Sequence, residues 1–78
     1  MRMPEKSKKV FGEITKYFSD GRYFTAYSLS AKAGYKIDGR AFSWLSKNGF
    51  IINHGKVMSD TTYKIESGWR ELVDALDD

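Results

Sequence analysis

The sequence predicts an α+β fold in which three helices form the core, a β-hairpin follows them and a further helix ends the chain. Apolar residues recur at helical spacing in 10–18 and again in 69–76. Between these segments, two short runs rich in β-branched and aromatic residues lie within 50–65. Since 78 residues have room for one core, a single domain over 1–78 is expected.

Capping residues and apolar spacing predict the first two helices. Ser7 is expected to cap a helix over about 7–19, and Thr25 a helix over about 26–33. Gly34 suits the end of the second helix, where a left-handed conformation favours glycine. The predicted inner residues are Val10, Phe11, Ile14, Tyr17 and Phe18 in the first helix, and Leu29 and Ala33 in the second.

Composition, apolar spacing and capping residues also predict a short extended segment and a third helix. Residues 22–24 are aromatic and extended, and predict a strand of one or two pairs. The third helix is expected near 38–48 and ends at Asn48-Gly49, a pair typical of helix C-termini. Its predicted inner face is Ala41, Phe42 and Leu45.

The last third of the chain predicts a hairpin over about 50–65 and a final helix over about 67–76. His54 is expected to begin the polar loop of the hairpin, and the returning strand alternates over 61–65. Ser67 is the expected cap of the final helix. The apolar stripe of that helix is Trp69, Leu72, Val73 and Leu76.

Charge is distributed unevenly along the chain. Residues 1–65 carry twelve Lys and Arg against five Asp and Glu, whereas 66–78 carry one against five. The net charges are therefore +7 for the body and −4 for the tail. A basic body suits a polyanionic partner, although a solvated surface has the same composition.

The sequence lacks the residues that several classes of function need. The chain has no Cys, which excludes disulfides, Cys-based zinc sites and thiol nucleophiles. Its one histidine, His54, has no catalytic partners in the sequence, and no phosphate-binding glycine motif is present. We therefore expect neither an enzyme nor a cofactor or metal. No apolar run has the length of a membrane span, and the N-terminus lacks the pattern of a secretory signal, so a cytoplasmic protein is expected.

Residues 25–65 resemble the winged helix-turn-helix superfamily of DNA-binding domains. The resemblance is carried by the run from Thr25 to Gly34, by Ile37, and by the run from Phe42 to Ile51. In such domains a short helix precedes the recognition helix. The recognition helix ends in a Leu-x-x-x-Gly pattern, and at this Gly the chain turns into the first wing strand. This chain departs from many members in having Asp38 where they have a β-branched core residue. The resemblance implies a sequence-specific regulator of transcription that inserts helix 38–48 in the major groove of double-stranded DNA.

Helical geometry selects candidate DNA contacts independently of the resemblance. With the inner face buried, the outer face of the third helix presents donors for phosphates and base edges. On this helix the candidates are Gly39, Arg40, Ser43, Trp44 and Lys47. Arg40 suits a guanine and Lys47 a phosphate, whereas core packing competes with DNA contact for Trp44. Outside the helix the candidates are Tyr27, Lys32 and Lys36, then Lys56 and His54 in the wing, where Asp60 opposes them, and Lys6, Lys8 and Lys9 at the N-terminus.

The sequence allows three further hypotheses about what this chain binds. The stripe from Trp69 to Leu76 packs against the first helix or against its copy in a homodimer. A winged helix can instead serve as a protein-interaction module, an inhibitor or adaptor that binds no DNA, because fold does not fix function. Stacking of exposed Tyr and Trp on single-stranded nucleic acid is a third possibility.

Overall fold

The computed structural model describes residues 2–76, so the last two residues of the acidic tail lie outside it. Within this range the chain forms four helices and one two-stranded antiparallel hairpin. The elements are α1 (Glu5–Phe18), α2 (Ala26–Ala33), α3 (Gly39–Lys47), β1 (Ile51–Val57), β2 (Asp60–Ile65) and α4 (Trp69–Asp74). The α+β class and the order of the elements are therefore confirmed.

The core lies between α1, α2, α3 and one face of the hairpin. Its most deeply buried side chains are Ile14, Phe24, Leu29, Phe42, Leu45, Phe50 and Ile51. Apolar residues at helical spacing on α1 and α3 point into it, because that spacing places them on one side of each helix. Tyr17 and Ala33 pack at its edge. Met3, which no periodicity predicts, is also buried in this core.

The predicted start of α1 is wrong. The helix begins at Glu5, and Pro4 occupies the N-cap position without a side-chain cap. Pro4 lacks a backbone N–H and has φ of −59°, which suits the entry to a helix. Ser7 therefore lies inside the helix, where its small side chain is buried facing α3. The early start also lets Met3 reach the core.

The ends of α2 are confirmed in detail. Thr25 Oγ1 accepts from the Ser28 amide at 3.0 Å, and Ser28 Oγ accepts from the Thr25 amide at 2.8 Å. This reciprocal capping box satisfies two amides that the helix leaves without partners. Gly34 closes the helix with a φ of +85°. Ile37 then enters the core.

The predicted hairpin is present, but its loop begins later than the predicted start at His54. β1 continues past His54 to Val57, and the turn consists of Met58 and Ser59. A bulge absorbs the extra residue of β1 between Asn53 and Lys56. There Gly55 takes a φ of +83°, and its amide donates to Asn53 Oδ1 at 2.7 Å. The glycine that resembles a turn signal is thus a bulge residue.

The short extended segment forms a single bridge. Phe24 pairs with Tyr63 through two backbone hydrogen bonds of 2.8 Å, so it lies beside β2 on the side opposite β1. This places the Phe24 ring against Phe18 and Phe42, at centroid distances of 5.2 and 6.1 Å. The predicted strand of one or two pairs is confirmed as one pair.

The predicted cap of the final helix is wrong. Gly68 occupies the N-cap position of α4, and Ser67 Oγ instead donates to Glu66 Oε1 at 3.2 Å. The helix ends at Asp74, before the predicted end, so Leu76 lies beyond it. The four stripe residues are half-buried against the core, and the Trp69 ring meets Phe11 of α1 edge-on at 5.6 Å. Packing on α1 within one chain is thus present. A homodimer through the exposed remainder of the stripe stays a prediction, which sedimentation of the full chain tests.

Candidate nucleic-acid interface

The outer face of α3 carries the residues expected there. Gly39, Arg40, Ser43 and Lys47 are exposed, and Ala41, Phe42 and Leu45 are buried on the other side. Trp44 differs from the other candidates because it is half-buried and stacks on Phe50, with the ring centroids 5.8 Å apart. Packing accounts for most of the Trp44 surface, and its edge remains beside the exposed face.

Arg40 is engaged by Asp38 at the start of α3. Asp38 Oδ1 accepts from the Arg40 backbone amide at 2.9 Å, which caps the helix. The same carboxylate accepts from Arg40 Nε at 3.3 Å and from Arg40 Nη2 at 3.2 Å. These hydrogen bonds lower the pKa of Asp38, and the carboxylate raises the pKa of Arg40. The pair is exposed, so it contributes little to the stability of the fold.

Two further cations stand near this end of α3. Lys6 of α1 lines a shallow concavity of about 270 Å³ that Arg40 and Trp44 also line. Lys36, in the turn before α3, lines a second concavity of about 420 Å³ with Asp38 and Arg40. Arg40 and Lys6 therefore both act on the Asp38 carboxylate, and Lys36 precedes it by two residues in the turn. Lys6 contributes to lowering the pKa of Asp38.

The N-terminal lysines do not act as one group. Lys6 faces α3, whereas Lys8 lines a groove between α1 and α4. Lys9 lies over the Tyr35 ring at 4.8 Å, in the turn between α2 and α3. Lys6 and Lys8 lie two residues apart, about 200° around the helix, so they point to nearly opposite sides. Of the three lysines, Lys6 lines the concavity with Arg40, and the sequence carries no local signal that these distant segments meet there.

The tip of the hairpin lies near the starts of α2 and α3. Ser59, Asp60 and Thr61 line a concavity of about 160 Å³ together with Tyr27 and Gly39. Lys56 is exposed and pairs with Thr61 across the hairpin. The ring of Tyr27 is largely exposed at the first turn of α2. Lys32 is exposed in the last turn of the same helix, away from this concavity.

His54 lies elsewhere. Its ring meets Tyr23 edge-on at 5.0 Å, and both residues line a concavity of about 410 Å³. Successive residues of a strand alternate between faces, and Tyr63 faces the core, so this concavity is on the opposite face of the hairpin. We call it the outer hairpin face; it consists of Tyr23, Ile52, His54, Val57 and Thr62. The structure thus separates His54 from the α3 candidates.

In residues 2–76 no group of three or more His, Cys, Asp or Glu side chains is placed to hold a metal ion. The helices of the same range are too short or too polar for any of them to cross a membrane. Comparison with known proteins gives no match to a family model, to a curated protein or to a solved structure.

Proposed function

We propose that the chain is a winged helix-turn-helix regulator that binds double-stranded DNA through α3. The observation that carries this proposal is the face of α3, on which Arg40, Ser43 and Lys47 are exposed while the opposite face is buried. A helix with its side chains is about 10–12 Å across, so α3 fits the ~12 Å width of the major groove. Lys6 and Lys36 flank the N-terminal end of that face, where they suit phosphates.

The arrangement of the other elements supports the same proposal. The capped helix α2 precedes α3, and the hairpin tip lies beside the starts of both helices. A helix inserted in the major groove would therefore bring the hairpin, as a wing, against the adjacent backbone, with Lys56 near its tip. Asp60 would limit the electrostatic gain there.

One observation favours a protein-interaction module as the second candidate. Tyr23 is 57% exposed and Val57 is 64% exposed on the outer hairpin face, and Met58 at the adjoining turn is 96% exposed. Exposed apolar groups near one another are typical of protein contacts. In this alternative α3 is a solvated helix and the exposed end of the hairpin is the functional surface.

Salt dependence separates the two candidates. If about four to six Lys and Arg contact phosphates, log K falls with log salt at a slope of roughly −4 to −5. We expect the full chain to bind a mixed-sequence duplex about 250- to 1,000-fold more weakly in about 200 mM salt than in about 50 mM salt. Fluorescence anisotropy measures this directly. Binding that does not respond to salt, or no binding, would favour the protein-interaction module.

A further inference from the structure

We propose that Asp38 is a positioning residue for Arg40, which gives the protein sequence preference at the expense of affinity for DNA in general. The proposal rests on the proposed function, because it concerns how α3 distinguishes base pairs. The N-terminal end of α3 is the end that would enter the groove first. There a carboxylate that caps the helix lies against an exposed guanidinium, and the proposal follows from this juxtaposition.

The carboxylate is itself held in place. Asp38 Oδ1 is fixed by the Arg40 backbone amide at 2.9 Å, so the side chain cannot turn without opening the helix cap. Both of its oxygens then accept from the guanidinium, at 3.3 Å from Nε and 3.2 Å from Nη2. A flexible exposed arginine is therefore anchored at one edge to a rigid element of the fold.

The remaining donors of Arg40 suit a guanine. A guanidinium has five N–H groups, and Asp38 engages the edge formed by Nε and Nη2. The edge formed by Nη1 and Nη2 stays available, and such a pair of parallel donors matches guanine O6 and N7. Prior anchoring reduces the side-chain freedom that Arg40 must lose on binding.

The same carboxylate opposes binding at wrong sites. Asp38 carries a negative charge beside Arg40 and Lys6, so it weakens the attraction of these two cations to every phosphate regardless of sequence. Near base edges a carboxylate can only accept hydrogen bonds, so it repels a base oxygen to which Arg40 does not donate. If the Asp38–Arg40 pair lacked this role, its removal would not raise the affinity for DNA in general while lowering the preference for one base pair.

The test begins with selection of preferred duplexes from a randomised library by the full-length chain. Arg40→Ala then identifies the base pair at which preference depends on Arg40. In Asp38→Asn the amide oxygen can still cap α3, but the charged pair with Arg40 is lost. We expect this variant to bind mixed-sequence duplexes about threefold more tightly or better. Its preference at the identified base pair should fall about 3- to 10-fold.

Asp60→Asn is the matched control, because it removes a carboxylate from the hairpin tip without touching Arg40. It should raise affinity for all duplexes and leave the preference unchanged; thermal melts verify that both variants are folded. The inference is overturned, with the proposed function intact, if Asp38→Asn keeps the full preference or if Arg40→Ala loses preference at no base pair. A wild-type chain that binds no duplex overturns both proposals.

Discussion

We expect Phe42→Ala to lower the free energy of unfolding by about 3–5 kcal/mol, most or all of the stability of a chain this small. Phe42 is 1% exposed, and its ring stacks on Tyr63 at 4.9 Å and contacts Phe24 at 6.1 Å. The substitution would leave a cavity where α3, β2 and the Phe24 bridge meet. Unfolding in urea, followed by circular dichroism, measures the loss.

Ser43→Ala is the control for Phe42→Ala, since Ser43 is the next residue of α3 and is exposed. Its free energy of unfolding should stay within about 0.5 kcal/mol of the wild type. Equal stability of Phe42→Ala and the wild type would mean that α3 does not pack on the hairpin as described.

The second large effect is on binding. Arg40→Ala should cost about 1–3 kcal/mol of binding to a preferred duplex, or roughly 5- to 150-fold, and relax the preference at one base pair. It should leave the thermal melt almost unchanged, because an exposed ion pair contributes little and the backbone amide of the substituted residue can still donate to Asp38. Arg40 lies about 200° around the helix from Phe42, so we expect the two substitutions to separate an effect on binding from an effect on folding.

Lys47→Ala, in the same helix, should affect DNA binding differently from Arg40→Ala. Lys47 is exposed in the last turn, where a phosphate is the expected partner. Its loss should weaken all duplexes about equally and reduce the salt slope by about one. Lys64→Ala is the matched control, because Lys64 lies over Tyr23, toward the outer hairpin face. If Arg40→Ala and Lys47→Ala bind like the wild type, α3 does not contact DNA.

Sequence reasoning succeeded where the deciding interactions are local. The inner face of α3 follows from the spacing of its apolar residues alone. The start and end of α2 follow from Thr25 and Gly34, because a capping box and a left-handed C-terminus involve only adjacent residues. The exposed candidates on α3 follow from the same geometry.

Sequence reasoning failed where the local structure depends on packing between distant segments or on which of several partners a side chain takes. Ser7 and Ser67 have the chemistry of caps, but Pro4 takes the N-cap position of α1 while Ser7 is buried inside the helix, and Ser67 donates its hydroxyl to Glu66. In the hairpin, Gly55 is equally compatible with a turn and a bulge, and pairing with β2 selects the bulge. The approach of Lys6 to Arg40 depends on how α1 packs on α3.

The pairing of Asp38 with Arg40 had a local signal that was overlooked. A carboxylate at an N-cap followed two residues later by an arginine places both groups at the same end of a helix. The sequence does not, however, fix which donors of the guanidinium are used. That detail, on which the inferred role of Asp38 depends, comes from the hydrogen-bond geometry.

Amide chemical shifts of the isotope-labelled chain, recorded while a preferred duplex is added, test most directly whether α3 is the DNA-binding element. We expect the largest changes in residues 36–43, with smaller ones near Lys6, Lys47 and Lys56. The outer hairpin face around Tyr23 and His54 should change little. Changes concentrated on that face or on α4, with residues 36–43 unaffected, would contradict the proposed function.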